Sequence, residues 1–239
     1  MPTVYPQASY KPLGAQTQPR LANPTCIILH TMDGYLNGTD STFRANGYTG
    51  DESHFGVGGP ADGINFDGVV WQWQDLDYTA DAQYSGNQYG ISIETSDGAN
   101  HLQPWSERQL NSIESLLIWL CLKYKLPAAL IKNPTDKGIA YHQLFHEWNL
   151  NGHDCPGSVR VQQLVNIVIP AVAARITIPQ PTPVGEGDLP NVEDVLNGLD
   201  AAMTSTLAGT PVPGTKFIDG MSKRILQFQE QQAQKPASP

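Results

Sequence analysis

Short runs that are either continuously apolar or alternate between apolar and polar residues are the feature that most constrains how this chain can fold. Turn signals separate these runs. Residues 26–29 are continuously apolar and end at the polar pair His30-Thr31, as expected for a buried strand that delivers a side chain at its carboxyl end. Residues 54–57 and 89–94 predict two further strands, and the alternation in the second places Glu94 off its apolar face. Strands of this length need a shared sheet to bury them.

Turn and helix signals complete this pattern. Residues 64–66 and 69–74 flank Asp67-Gly68 and predict a β-hairpin. Ser106 begins a capping box followed by apolar residues at helical spacing, and Ser158 can cap a later helix. The order of elements predicts an α/β (α+β) fold with a central mixed β-sheet flanked by helices.

A proline-rich and then glycine-rich stretch divides the chain. It predicts a linker over residues 177–190, between a domain of residues 1–176 and a small C-terminal helical module of residues 191–239. Two apolar stripes at helical spacing in the module suggest docking, ligand binding or self-association.

Charge and hydropathy exclude two classes of partner. The 14 Lys and Arg residues against 23 Asp and Glu residues give a net charge of -9, so we expect no nucleic-acid binding through phosphate contacts. We also expect no membrane span, because long uncharged apolar runs are missing from the sequence. The first ten residues lack the basic and apolar segments of a secretory signal peptide, so none is expected.

Histidine and cysteine residues in different elements suggest a catalytic metal site. Zinc takes three protein ligands and keeps one position open, and His30, His142 and Cys155 come from three separate elements. His142 and His146 could instead form an i,i+4 pair with His153 or Cys155 as the third ligand. Residue 143 is Gln where the metalloprotease helix motif has Glu, which excludes that motif. The residues alone leave the ligand set open.

Six fragments occur in an order that is specific although each is weak alone: residues 28–31, 53–57, 67–72, 90–94, 141–142 and 154–157. In this order they resemble the zinc-dependent N-acetylmuramoyl-L-alanine amidases, which are related to peptidoglycan recognition proteins and the phage T7-type lysozyme. The resemblance extends over about residues 24–176. It implies the fold of that family, with a central sheet and flanking helices.

The resemblance implies roles for five residues. His30, His142 and Cys155 match the three zinc ligands. Glu94 matches the acidic residue proposed as general base, and His153 lies where many members have a lysine that stabilises the oxyanion. Zn²⁺ is the implied cofactor.

Two positions depart from the family pattern and concern substrate binding. Ser53 lies where the T7-type enzyme has a catalytic tyrosine, and Asp81 replaces a histidine that lines the cleft in many members. Asp154 is an alternative oxygen ligand, although it lies one position off the family's ligand.

The resemblance implies hydrolysis of the amide bond between N-acetylmuramic acid and L-alanine in bacterial peptidoglycan. The alternative is a module that binds muropeptides without cutting them. Non-lytic relatives commonly lose the third ligand, so the presence of Cys155 favours the enzyme. Without a signal peptide, we expect a phage or prophage endolysin that stays in the host cytoplasm until a membrane pore releases it to the wall.

Overall fold

A six-stranded mixed sheet organises residues 1–177, the part of the chain that the computed structural model describes. In chain order the strands are β1 Ser9–Tyr10, β2 Cys26–Thr31, β3 Phe55–Val57, β4 Val70–Gln72, β5 Gly90–Thr95 and β6 Gly138–Tyr141. Their spatial order is β1-β4-β3-β5-β2-β6. The β3–β4 pair is antiparallel and the other four pairs are parallel. The predicted central mixed sheet is confirmed.

Helices cover the sheet and bury its apolar face. They are α1 Leu36–Asn46, α2 Glu107–Tyr124, α3 Ser158–Gln163 and α4 Ile169–Thr177, with a π-helical turn at Leu164–Val168 joining the last two. The main core packs Ile91 and Ile93 of β5 with Ile113 and Leu117 of α2. The opposite, polar side of β5 is thereby left free to carry Glu94.

The capping box of α2 forms as predicted. The Oγ atom of Ser106 accepts a hydrogen bond from the backbone N–H of Gln109 at 3.1 Å, and Gln109 Oε1 accepts one from the Ser106 N–H at 3.2 Å. Lys125 in the left-handed conformation ends the helix, just before Leu126-Pro127. Local capping therefore sets both ends of α2.

By length and composition, the helical run Ser158–Thr177 could cross a membrane, with a mean hydropathy of 1.3. This is weak evidence for a span, because the core helix of a soluble protein passes the same test. Leu164, Val168 and Val172 of this run lie in the main core, and α4 packs against α2.

Two local predictions are wrong. Residues 64–66 form no strand, because the N–H groups of Phe66 and Asp67 both bond to the carbonyl of Gly63 in successive turns. The strand β4 pairs instead with β3. Ser158 does not cap α3, since Gly157 occupies the N-cap position and Ser158 is the first helical residue.

The predicted linker, residues 177–190, and the predicted helical module, residues 191–239, lie outside the described residues apart from Thr177, which ends α4. Both stay predictions.

Arg160 of α3 joins the carboxyl ends of β2 and β5. Its side chain is fully buried and donates hydrogen bonds to Thr31 Oγ1 at 2.9 Å, to both oxygens of Thr95 at 2.9 and 3.0 Å, and to the Ser96 carbonyl at 2.8 Å. The Gln103 carbonyl accepts a further bond at 2.9 Å. Burial lowers the pKa of Arg160 to about 10, so the guanidinium stays charged at neutral pH.

We expect Arg160→Met to lower the free energy of unfolding by about 2–4 kcal/mol, because it leaves several buried acceptors without a donor. Urea unfolding measures this loss. Arg108→Met is the matched control, since exposed Arg108 donates one hydrogen bond, to the Ile64 carbonyl. Equal losses in the two variants would contradict the role given to Arg160.

Candidate metal and catalytic site

Two adjacent parallel strands bring a histidine and a glutamate together. In the register of β2 with β5, His30 lies directly opposite Glu94. Both residues are next to last in their strands, and parallel strands end at the same edge of a sheet. The His30 Nδ1 atom is 3.8 Å from Glu94 Oε1. This edge of the sheet forms the floor of the site.

His142 and Cys155 reach the same edge from the other side of β2. The strand β6 is parallel to β2, and His142 directly follows its last residue, so the His30 and His142 rings lie 4.5 Å apart between centroids. The Sγ atom of Cys155 accepts a hydrogen bond from the Thr31 N–H at 3.2 Å. One donor atom from each of His30, His142 and Cys155 lies within 4.8 Å of the others.

Hydrogen bonds determine which ring nitrogens can face a metal. The Nε2 atom of His30 is 3.2 Å from Gln83 Oε1, and Nε2 of His142 is 2.7 Å from the Trp148 carbonyl oxygen. Nδ1 is therefore the nitrogen available for a ligand on each ring. Burial lowers the pKa of both histidines, so both rings are neutral, as metal ligation requires. Two neutral nitrogens and one sulfur suit zinc.

The alternative ligands do not join this group. His146 lies in a separate short 3-10 helix, His146–Trp148, and is exposed to solvent. Asp154 is also exposed, and neither residue belongs to the His30–His142–Cys155 group. An i,i+4 pairing of His142 with His146 fails because two short 3-10 helices replace the continuous helix that it needs.

Glu94 is buried, and its two carboxylate oxygens differ in their hydrogen bonding. The Ser53 hydroxyl donates to Glu94 Oε1 at 3.3 Å, whereas the buried Oε2 atom has no hydrogen-bond partner within the described residues. Burial is the main cause that raises the pKa of Glu94 to about 8, and the nearby Arg160 charge opposes it. A carboxyl group tuned in this way is suited to accepting a proton near neutral pH.

His153 lies on the loop between His142 and Cys155. Asn149 holds this loop, because its side chain donates to the His153 carbonyl at 2.6 Å and accepts from the His153 N–H at 3.0 Å. The His153 side chain is exposed and lines the cavity. His54 is buried and hydrogen-bonds to Ser92 Oγ and to the Tyr78 carbonyl oxygen.

A cavity of about 240 Å³ connects these groups. All seven residues predicted from the sequence line it: His30, Ser53, Asp81, Glu94, His142, His153 and Cys155. His101 also lines it and pairs with Asp33 at 2.9 Å.

Three residues near the site were missed by the sequence analysis. Gln83 holds His30, Arg160 joins the strand ends, and Glu52 is a fully buried carboxyl group on the cavity wall. Gln83 and Arg160 act through hydrogen bonds to residues 53 or more positions away in the chain. No local pattern marks Glu52, because glutamate is rarely fully buried in proteins.

A family model matches the region that builds this site. The model for N-acetylmuramoyl-L-alanine amidase, type 2, matches residues 20–158, which is 139 of the 239 residues. The chain belongs to the N-acetylmuramoyl-L-alanine amidase family. It is an enzyme of that class, with peptidoglycan amidase activity.

Solved structures share the fold of this amidase. N-acetylmuramoyl-L-alanine amidase LysC from Clostridium intestinale is 16% identical, with a TM-score of 0.50 over 67% of this chain and 95% of that one. The Staphylococcus aureus hydrolase AmiA, solved in complex with its ligand, is also 16% identical, with a TM-score of 0.53 over 74% of this chain and 85% of that one. At this identity they show the fold alone. No curated protein gives a significant match.

The buried Glu52 makes the stability of the amidase depend on pH. Burial raises its pKa to about 7, above the ordinary value of 4.5, so its contribution to stability is full below pH 4.5 and is lost as the pH rises through 7. Glu52→Gln should remove a decline of about 1–3 kcal/mol in the unfolding free energy across this window. Urea unfolding from pH 4.5 to 8 measures it, with exposed Glu107→Gln as the control. If the unfolding free energies of Glu52→Gln and wild type changed with pH in parallel, the effect assigned to Glu52 would be refuted.

Proposed function

We propose that the chain is a zinc-dependent amidase that cuts the bond between N-acetylmuramic acid and L-alanine, with His30, His142 and Cys155 as the zinc ligands. One observation carries the proposal: one donor atom from each ligand lies within 4.8 Å of the others, directly beside Glu94. The donor types, the neutral rings and the hydrogen bonds to both Nε2 atoms all fit zinc. Residues 1–176 are proposed as the catalytic domain.

Zinc bound there supplies a Lewis acid that polarises the scissile carbonyl and lowers the pKa of an attacking water. Glu94 accepts the proton of that water and passes it to the leaving nitrogen of L-alanine. Ser53 orients Glu94 by donating to Oε1, so the unpartnered Oε2 atom is the one that receives the proton. Gln83 accepts a hydrogen bond from His30 Nε2–H and thereby keeps Nδ1 deprotonated for the metal.

His153 and Asp81 act on the substrate in this proposal. His153 lines the cavity beside His142 and, when protonated, donates a hydrogen bond to the oxygen that develops negative charge during the reaction. Asp81 also lines the cavity, next to Glu52, where it binds substrate. The Ser53 hydroxyl is engaged with Glu94, so its contribution to substrate binding is indirect.

Zinc-loaded protein should release free stem peptides beginning at L-alanine from purified peptidoglycan, and chelator-stripped protein should release none. Mass spectrometry of the soluble fragments identifies the bond that is cut. Cys155→Ala should lose bound zinc and reduce hydrolysis at least about 100-fold, because the open zinc site needs three protein ligands.

Cys121→Ala is the matched control, since Cys121 is also a buried free cysteine but lies in α2, within the core. Elemental analysis of zinc in both variants distinguishes ligand loss from unfolding. Full activity and full zinc content in Cys155→Ala would overturn the ligand assignment. Intact peptidoglycan that retains the wild-type protein would support the alternative function, muropeptide recognition without cleavage.

We further propose that the enzyme acts as a phage-type endolysin that reaches the wall from the host cytoplasm. All three cysteines are free and buried, which fits folding in a reducing compartment. Cells that produce the protein should stay intact until their inner membrane is permeabilised, and should then lyse within minutes. Turbidity records lysis, and Cys155→Ala is the control. Lysis without permeabilisation, or no lysis after it, would contradict this role.

A further inference from the structure

One wall of the cavity carries three acidic side chains from two segments of the chain. This acidic wall consists of Asp51, Glu52 and Asp81. The Glu52 N–H donates to the Asp81 carbonyl at 3.4 Å, and the Asp81 N–H donates to Glu52 Oε1 at 3.3 Å. These hydrogen bonds hold the two segments side by side, so the carboxyl groups are arranged by the backbone.

Within residues 1–177 none of the three acids of the wall forms an ion pair. Glu52 is fully buried, and its Oε2 atom has no hydrogen-bond partner there. Burial and then the charges of Asp81 and Asp51 raise the pKa of Glu52 to about 7. Three neighbouring carboxyl groups without a counter-charge form a site where a cation would relieve repulsion.

The cavity lining as a whole is also negatively charged. Its charged residues other than histidine are Asp33, Asp51, Glu52, Asp81 and Glu94, and no Lys or Arg of the described part of the chain lines it. Asp33 is already paired with His101. The unbalanced negative charge is therefore concentrated on the acidic wall and at Glu94.

The spacing of the wall favours an organic cation over a metal ion. Two metal-compatible groups of His, Cys, Asp or Glu residues occur in residues 1–177, and neither contains any member of the acidic wall. A primary ammonium on a flexible arm can satisfy carboxylates that do not converge on one point, because it carries three donors.

We propose that the acidic wall binds the side-chain ammonium of the substrate's stem peptide, so that the enzyme selects muropeptides with a lysine at the third position. This inference rests on the proposed function and names its substrate class. A diaminopimelate residue at that position would bring a carboxylate beside its amine, and the wall would repel that carboxylate. Selection therefore combines attraction of one substrate with repulsion of the other.

The test compares kcat/KM for three synthetic muropeptides that differ only at the third residue, which is lysine, norleucine or meso-diaminopimelate. Wild-type protein should favour lysine over norleucine by about two- to fivefold, the range of a partly exposed ion pair. It should cut the diaminopimelate peptide more slowly than the lysine peptide. The lysine preference should also shrink as salt is added.

The double variant Asp51→Asn/Asp81→Asn should bring the lysine-to-norleucine ratio close to one. Glu107→Gln/Glu147→Gln is the matched control, since it removes the same charge from exposed residues that do not line the cavity. A ratio near one in wild type, or an unchanged ratio in the wall variant, would overturn the proposal.

Calorimetric binding of the same three peptides to zinc-free protein separates this proposal from the proposed function. If wild type cuts none of the peptides but still binds the lysine peptide more tightly, the proposed function fails, whereas the proposal that the acidic wall binds an ammonium group is supported. If all three peptides are cut and bound equally, the proposed function is supported and the proposal for the acidic wall is wrong.

Discussion

The buried guanidinium of Arg160 is the interaction on which the site depends. A charged side chain without a paired carboxylate is costly in a core unless acceptors surround it. Here the acceptors are the hydroxyl and carbonyl oxygens at the ends of β2 and β5. Those two strand ends carry His30 and Glu94, and Arg160 belongs to the helix that begins just after Cys155. One side chain therefore fixes the relative position of all three elements.

The same region shows how parallel strand pairing brings the residues of the candidate site to one edge of the sheet. The strand β2 lies between β5 and β6, so side chains at three neighbouring strand ends meet without any local motif. The loop from His142 to Cys155 then returns to this edge, where the Thr31 N–H bonds to the sulfur. Gly157 permits this return, because its φ is +91° and a Cβ atom there would clash with the His101 carbonyl oxygen.

The parts of the fold that local patterns determine could be predicted from the sequence. The apolar run before His30, the alternation around Glu94 and the capping box at Ser106 each depend on neighbours within a few residues, and each forms as expected. The turn at Asp67-Gly68 misled because such a pair suits successive turns as well as a hairpin. Gln83 could not be found in this way, since its partner His30 is 53 residues distant.

Two buried carboxyl groups in one cavity have different environments, and this difference separates the roles proposed for them. Burial raises the pKa of both Glu94 and Glu52. Glu94 has a hydroxyl donor and the nearby Arg160 charge, which oppose that rise, and it faces His30, a proposed zinc ligand. Glu52 accepts hydrogen bonds at Oε1 from the Gln18 side chain and the Asp81 N–H, but it has two further acids beside it and no cation pairs with it among the described residues. A carboxyl group with a cation nearby is suited to proton transfer, whereas a group that lacks a counter-charge is suited to binding a cationic ligand.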